Sequence, residues 1–230
     1  IKADCLARWP GRLIEIYGLT EGAGSCTLEA NLNPDKLHTV GMPGLGSEIV
    51  VLDEQGRVLP QGEVGELAGR AQLMMKGYYK QEDKTRELFW HDRDGRLFFK
   101  SGDMGRIDED GFVVLLDRKK DMIISGGVNI YPQECENLLI NHPKVMDCAV
   151  FGVPNADFGE EVKAVVQPRD MADAGPALAE ELIAYCKQHL SAIKCPRSVD
   201  FEAELPRHPT GKLYKRLLRD RYWEGRAARI

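Results

Sequence analysis

No run of roughly 18 apolar residues occurs in this 230-residue chain, so the sequence offers no helix able to cross a bilayer. The start lacks the basic, then apolar, then small-residue order of an export signal, which removes support for secretion. Basic residues are not in excess. Against 36 acidic side chains stand 31 basic ones, for a net charge of −5, and a general nucleic-acid binder usually carries the opposite balance. The six cysteines (Cys5, Cys26, Cys135, Cys148, Cys186 and Cys195) never form Cys-x-x-Cys, and a chain of this size needs no staples. They read as free thiols in a reducing compartment, which predicts a cytoplasmic protein. The chain also lacks an initial Met. Ile1 fits either a processed terminus or a cut inside a longer protein. What is present is an ordinary globular composition, 43% hydrophobic and 29% charged, and a length that suits one large domain or two small ones.

Three turns share one spelling. Asp53-Glu54-Gln55-Gly56, Asp92-Arg93-Asp94-Gly95 and Asp108-Glu109-Asp110-Gly111 all begin with Asp and end with Gly. An Asp side chain bonds the backbone ahead of it and Gly tolerates positive φ, so each predicts a hairpin. Strand-like stretches surround them: 12–17, 48–52, 64–67, 97–99, 105–107 and 112–116. Only 83–89 reads as helical in this half. Residues 1–117 are therefore expected to be β-rich, a meander or small barrel. After Asp117 the pattern alternates. Strands are expected at 122–124, 145–150, 162–166 and 198–201, with helices at 133–141 after Pro132, at 177–190 and at 213–223. The predicted fold class is α+β, with a β-rich domain over 1–117 and a small α/β domain over 118–230. Charge follows the same division. Residues 1–117 hold 14 basic and 20 acidic side chains, residues 118–230 hold 17 and 16, and the last 26 residues carry eight basic against two acidic. That basic end is either a solvated helix face or a surface that meets phosphates.

Four segments carry candidate chemistry, and each taken alone is also compatible with an ordinary turn or linker. In Tyr17-Gly18-Leu19-Thr20-Glu21-Gly22, Gly18 would let the backbone turn and approach a ligand, while a hydroxyl and a carboxylate side by side suit a phosphate oxygen and its Mg²⁺. In Lys100-Ser101-Gly102-Asp103, between strands, the carboxylate could accept from two vicinal hydroxyls, as on a ribose. In Asp117-Arg118-Lys119-Lys120-Asp121, followed by Ile123-Ile124-Ser125-Gly126-Gly127-Val128-Asn129, a charged linker precedes two glycines on a strand edge, a pivot beside a backbone surface that something presses against. In Pro206-Arg207-His208-Pro209-Thr210-Gly211-Lys212, two prolines and a glycine fix a loop that presents one lysine, a mobile point charge able to reach an anionic transition state.

In this order, with Gly65-Glu66-Leu67 and Gly77-Tyr78-Tyr79 between the first two, the segments closely resemble the adenylate-forming superfamily. That superfamily includes acyl-CoA and aryl-CoA synthetases, luciferases and the adenylation domains of peptide synthetases. The stretch Ile123 to Pro132 looks most like the fatty-acyl-CoA ligase branch. The resemblance covers nearly the whole chain. The superfamily's Ser/Thr/Gly-rich phosphate loop, followed by Pro-Lys, normally precedes the Tyr-Gly-x-Thr-Glu motif and has no counterpart here. Gly22-Ala23-Gly24-Ser25 comes too late and lacks the lysine. The expectation is therefore a C-terminal portion of a longer enzyme: the end of a large AMP-binding domain and the whole of a small mobile one, without ligase activity by itself. Its early strands, stripped of sheet neighbours, would be displaced or would pair with a second copy.

The resemblance implies ATP or AMP, Mg²⁺ and coenzyme A as cofactors or substrates and a small carboxylic acid as the activated partner. It implies that Tyr17 stacks on adenine, that Gly18 belongs to the nucleotide site, that the Thr20 hydroxyl contacts the adenylate phosphate, and that Glu21 binds Mg²⁺. Asp103 and Arg118 would hold the ribose, and Lys212 would bridge acid and α-phosphate. Lys120 falls at the hinge, where many relatives have Asp. Gly126 and Gly127 match the strand lining the pantetheine channel. Asn129 stands where some relatives have Arg, which leaves its role open. The pattern Pro206 to Lys212 also matches relatives silenced by lysine acetylation, which removes the charge. Medium or long fatty acids are the expected substrates, with bile-acid-like or aryl acids open. Two alternatives remain. One is a catalytically silent binding or regulatory protein, which would have no need of Thr20, Glu21, Asp103 and Lys212 together. The other is a peptide-synthetase adenylation module, against which stands the lack of a carrier domain after Lys212 in this sequence.

Overall fold

The computed structural model describes residues 1–224. Arg226 and Arg229, counted in the basic end, lie outside the described residues. The chain divides into two compact units, Ile1–Lys119 and Lys120–Ile230, and its fold class is α+β.

In the first unit a short helix, α1 (Lys2–Arg8), precedes three antiparallel strands, β1 (Ile14–Gly18), β2 (Ser25–Glu29) and β3 (Met42–Pro43), ordered β1-β2-β3. A second sheet holds β4 (Ser47–Leu52), β5 (Gly65–Ala71), β6 (Phe89–His91), β7 (Leu97–Ile107) and β8 (Val113–Arg118), with helix α2 (Glu82–Leu88) leading into β6. Its order is β4-β5-β7-β6, and β8 pairs with the other end of β7. The two sheets share an interior made of Cys26, Val40, Val51, Leu67 and Val113. Reciprocal backbone bonds, Val40 N–H to Val113 O at 2.9 Å and Val113 N–H to Gly41 O at 2.8 Å, join them. The Asp-to-Gly turns owe their form to their first residue. Asp53, Asp92 and Asp108 each accept two backbone N–H groups on Oδ1, two and four residues ahead. The closing glycines take φ of +75°, +75° and +86°.

Several local expectations change. Helix α1 was not anticipated; it has no side-chain cap and buries no residue, so it carries little periodic signal. The opening strands are not displaced: β1 pairs with β2 over its whole length. The segment Lys100–Asp103 is not a turn between strands but the middle of β7. Between Glu66↔Met104 and Ala68↔Lys100 the register shifts, so β7 carries extra residues opposite Leu67. Gly102, at φ +72°, supplies the backbone conformation, and the Ser101 hydroxyl donates to Leu67 O at 2.8 Å.

The second unit is built on β9 (Ile123–Ser125), β10 (Val128–Ile130), β11 (Val145–Asn155), β12 (Gly159–Pro168) and β13 (Ser198–Phe201). The order is β10-β9-β12-β11, with β13 parallel to β12. Helices α3 (Pro132–Leu139), α4 (Pro176–His189) and α5 (Lys215–Trp223) complete it. The near-continuous apolar run of β11 is explained by burial on both faces, since alternate residues point to opposite sides. Cys148 and Val150 join Cys135 and Leu139 of α3 and Leu178, Leu182 and Cys186 of α4 in one core. Ala149, Phe151 and Val153 join Leu205 and Leu218 of α5 in another.

Gly126 and Gly127 are not strand residues. They form the two-residue loop between β9 and β10, closed by the pair Ser125↔Val128, with φ of +56° and +81°. Two positive φ values in a two-residue hairpin favour a Gly pair, which is why both occur together.

Leu182 is fully buried and Leu217 is 47% exposed. Leu182→Ala is expected to cost about 2–5 kcal/mol in urea unfolding and Leu217→Ala less than about 0.5 kcal/mol. Equal losses would contradict the assignment of the core.

Candidate active site

In the first unit three strands converge on one carboxylate. Asp103 in β7 is 6% exposed. The Tyr17 hydroxyl, at the end of β1, donates to Asp103 Oδ2 at 2.6 Å. Arg118, which is register partner to Asp103 on β8, sets its Nε 2.9 Å from Oδ1. The Asp103 N–H donates to Ser101 Oγ at 3.0 Å. Each carboxylate oxygen thus has one strong partner and one further lone pair, which leaves capacity for two added hydroxyl donors. The Tyr17 ring packs against the shared interior. Burial, then the bond to Asp103, pushes its hydroxyl pKa well above the usual tyrosine range, so Tyr17 stays a donor.

A second cluster lies in the turn after β1. Thr20 Oγ1 donates to Glu21 Oε2 at 3.0 Å, and the Tyr78 hydroxyl donates to Glu21 Oε1 at 2.7 Å. The Tyr78 bond is the largest cause holding the Glu21 carboxyl below its usual range, while the same bond raises Tyr78. Lys84 Nζ lies 4.4 Å from the Tyr78 ring centroid. Gly18 does not make the expected sharp turn. It is the last paired residue of β1, opposite Ser25. The turn falls at Leu19–Gly22, where Gly22 N–H bonds Leu19 O at 3.0 Å with φ +71°. A Cβ on Gly22 would stand 2.6 Å from Leu73 O, so close packing joins its positive φ in requiring glycine there.

No group of three metal-ligating His, Cys, Asp or Glu side chains occurs among the described residues. One ionised carboxylate beside one hydroxyl still fits Mg²⁺, an ion that keeps water and substrate phosphates as most of its ligands.

Lys120 lies in a single 3₁₀ turn, Lys119–Asp121, which contains the boundary between the two units. Just before it, Lys119 Nζ bonds Glu66 Oε2 at 2.7 Å. In the second unit Lys212 is exposed on a loop whose backbone bonds itself, with His208 N–H to Lys212 O at 2.8 Å and Gly211 N–H to His208 O at 2.7 Å. The structure therefore brings Tyr17, Asp103 and Arg118 together, and separately Thr20 and Glu21. Lys212, Gly126 and Gly127 belong to the second unit. Sequence reasoning had no role for Tyr78 or Glu66. Both stand in the Gly77-Tyr78-Tyr79 and Gly65-Glu66-Leu67 motifs, but nothing in local pattern tells that Tyr78 reaches a residue 57 positions away.

Family models match two parts of the chain: the AMP-binding enzyme family over residues 2–79 and the AMP-binding enzyme C-terminal domain over residues 134–212. Feruloyl-CoA synthase of Amycolatopsis sp is 38% identical over 226 residues, covering 96% of this chain and 44% of its own length. The long-chain-fatty-acid–CoA ligase of Salmonella typhimurium is 38% identical over 213 residues, covering 90% and 36%. Among solved structures, ATP-bound MatB from Rhodopseudomonas palustris aligns with a TM-score of 0.82 at 35% identity, over 96% of this chain and 44% of that one. O-succinylbenzoate coenzyme A synthetase from Bacillus subtilis, in complex with AMP, gives 0.82 at 31% identity, over 100% and 44%. The chain thus spans less than half the length of these relatives.

Tyr78→Phe removes the main bond that favours ionised Glu21. The Glu21 titration midpoint, followed by ¹³C NMR of its carboxyl carbon, is expected to rise towards the ordinary glutamate value. An unchanged midpoint would contradict the assigned cause.

Proposed function

The chain belongs to the adenylate-forming superfamily, and from that membership we propose that it is part of an ATP-dependent ligase joining a carboxylic acid to coenzyme A. The reaction runs in two steps. A carboxylate oxygen attacks the α-phosphorus of ATP, forming acyl-AMP and releasing pyrophosphate. The coenzyme A thiol, losing its proton, then attacks the acyl carbon and AMP leaves. A carboxylate is a poor electrophile, and AMP is a far better leaving group than hydroxide. Both steps gather negative charge on oxygen, so fixed donors and cations supply much of the catalysis.

The observation that carries this reading is the Asp103 carboxylate, buried and oriented by Tyr17 and Arg118, in the same unit as the Thr20–Glu21 pair. In the proposed assignment Asp103 accepts from both ribose hydroxyls and Arg118 adds a ribose contact. Tyr17 and Gly18 border the adenine and phosphate. Thr20 donates to the α-phosphate, and Glu21 holds Mg²⁺, which when bound would neutralise phosphate charge. Lys212 supplies the cation between acid and α-phosphate. Lys120 acts as the hinge about which the small domain turns between steps, a known way to present different groups in succession. Gly126 and Gly127 meet the pantetheine arm through backbone. The assigned domains are the end of the large AMP-binding domain, expected over 1–117, and the small C-terminal domain, expected over 118–230; the compact units divide two residues later, after Lys119, which keeps Arg118 with Asp103. Among the described residues no helix is long and apolar enough to cross a membrane.

A fatty acid is the proposed substrate. An aryl acid is the second reading, since a feruloyl-CoA synthase and a long-chain-fatty-acid–CoA ligase are equally identical to this chain, at 38%. A screen of both acid classes on the whole protein, following pyrophosphate release, decides between them. By itself the 230-residue chain is proposed to be inactive, because effective catalysis needs all groups fixed together.

In the whole protein Lys212→Ala is expected to slow acid-dependent ATP–pyrophosphate exchange by about 10²–10³-fold. Thioester formation from supplied acyl-adenylate should remain within about twofold of wild type, because AMP, already bonded to the acid, needs no bridging cation. Equal loss in both steps would count against the role of Lys212. Acid-dependent exchange by the isolated chain would overturn its proposed inactivity.

A further inference from the structure

The lysine loop of the second unit is held at both ends by charge. Arg207, at its start, pairs with Asp147 of β11 and donates from Nη1 to Gly211 O at 2.6 Å. Lys215, three residues beyond Lys212, opens α5 and reaches Glu136 of α3, with Nζ 2.7 Å from Oε1 and 2.8 Å from Oε2. Glu136 is 7% exposed, and its Oε1 also accepts Val150 N–H of β11 at 2.7 Å. One carboxylate therefore fixes a helix, a strand and the first residue of α5 with respect to each other. Packing of Leu205, Leu213 and Leu218 on Phe151 and Val153 keeps the loop close to the sheet. Apolar contact is non-directional, however, and it does not choose which way the loop tip points.

Burying an ion pair is costly, and an apolar pair of similar volume often holds an interior at least as well. What the bidentate contact adds is direction. It sets the rotation of the α5 start, and Lys212 is separated from it only by Leu213 and Tyr214. The Tyr214 N–H, bonded to Pro206 O at 2.8 Å, closes the loop onto its own beginning. Shifting Lys215 thus shifts the whole loop.

We propose that Glu136 is a positioning residue for Lys212, acting through Lys215. This rests on the adenylation role proposed for Lys212 and adds a side chain outside the four motifs. Glu136→Gln keeps the shape and an acceptor for Val150 but removes the charge facing Lys215. Lys215→Met removes the other partner, and Lys215→Arg keeps it.

The test measures both half-reactions and the thermal midpoint of the whole protein. Glu136→Gln and Lys215→Met are expected to slow acid-dependent ATP–pyrophosphate exchange about 10- to 100-fold, the scale of a small misplacement of a catalytic group. Both should leave thioester formation from acyl-adenylate within about twofold of wild type, as its chemistry does not call on Lys212. Lys215→Arg should restore exchange to within about threefold, the charge being retained. Loss in both half-reactions alike, accompanied by a lowered midpoint, would make Glu136 merely structural and overturn the proposal, as would no loss in either. Should Glu136→Gln fail to fold, the Lys215→Met and Lys215→Arg pair decides by the same criteria. Lys212→Ala in the same assays separates the two claims. If it leaves exchange intact, the role of Lys212 fails and positioning fails with it; if it abolishes exchange while Lys215→Met does not, only positioning fails.

Discussion

A single buried carboxylate organises the first unit. Asp103 is 6% exposed, and a buried charge left without partners costs several kcal/mol. Its carboxylate partners come from two strands far apart in sequence, Tyr17 from β1 and Arg118 from β8, while Ser101, in the bulged part of β7 itself, accepts its backbone N–H. The need to satisfy this group fixes where β1 ends and how β8 registers on β7. Beside it, the extra residues of β7 opposite Leu67 set the Ser101 hydroxyl on Leu67 O at 2.8 Å. The geometry that keeps the charge tolerable also leaves its remaining lone pairs available to a diol.

The second unit answers a different demand. Its central strands are covered on both faces, by α3 and α4 on one side and α5 on the other. Two connections outside that packing carry the candidate groups, the β9–β10 turn and the loop before α5. The turn is set by glycine backbone and the loop by ion pairs. A proposed reaction that calls on backbone in one step and on a cation in another has a matching division of labour in this architecture.

The sequence was informative where local chemistry decides. The Asp-to-Gly turns follow from one side chain and one glycine each. Pro132 marks the start of α3, and the apolar spacing at Leu178, Leu182 and Cys186 marks α4. It was uninformative where tertiary context decides. Helix α1 has no side-chain cap and buries no residue fully, although Leu6 packs on the core, so little in the sequence announces it. The Lys100–Asp103 segment reads as a turn because Ser and Gly usually punctuate strands, and only its bulge on β5 makes it strand. The Gly126–Gly127 pair reads as glycine on a strand edge, and only the pairing of β9 with β10 makes it a hairpin tip. The chemistry of Thr20, Glu21 and Asp103 is conspicuous in their motifs, yet Tyr78 stands in a motif without a role of its own and Glu136 stands outside them. The partners of these two, Glu21 and Lys215, lie 57 and 79 residues away. No periodicity or spacing within one segment carries that information.

Nucleotide affinity reads whether the Asp103 carboxylate receives a vicinal diol, as proposed. AMP and 2′,3′-dideoxy-AMP should be titrated into the whole protein and into its Asp103→Ala variant by calorimetry. The unaltered protein is expected to prefer AMP by about tenfold or more, since hydrogen bonds to a charged group are worth about 1.5–3 kcal/mol, and the variant to bind the two alike. A preference for AMP that survives in the variant would contradict that role.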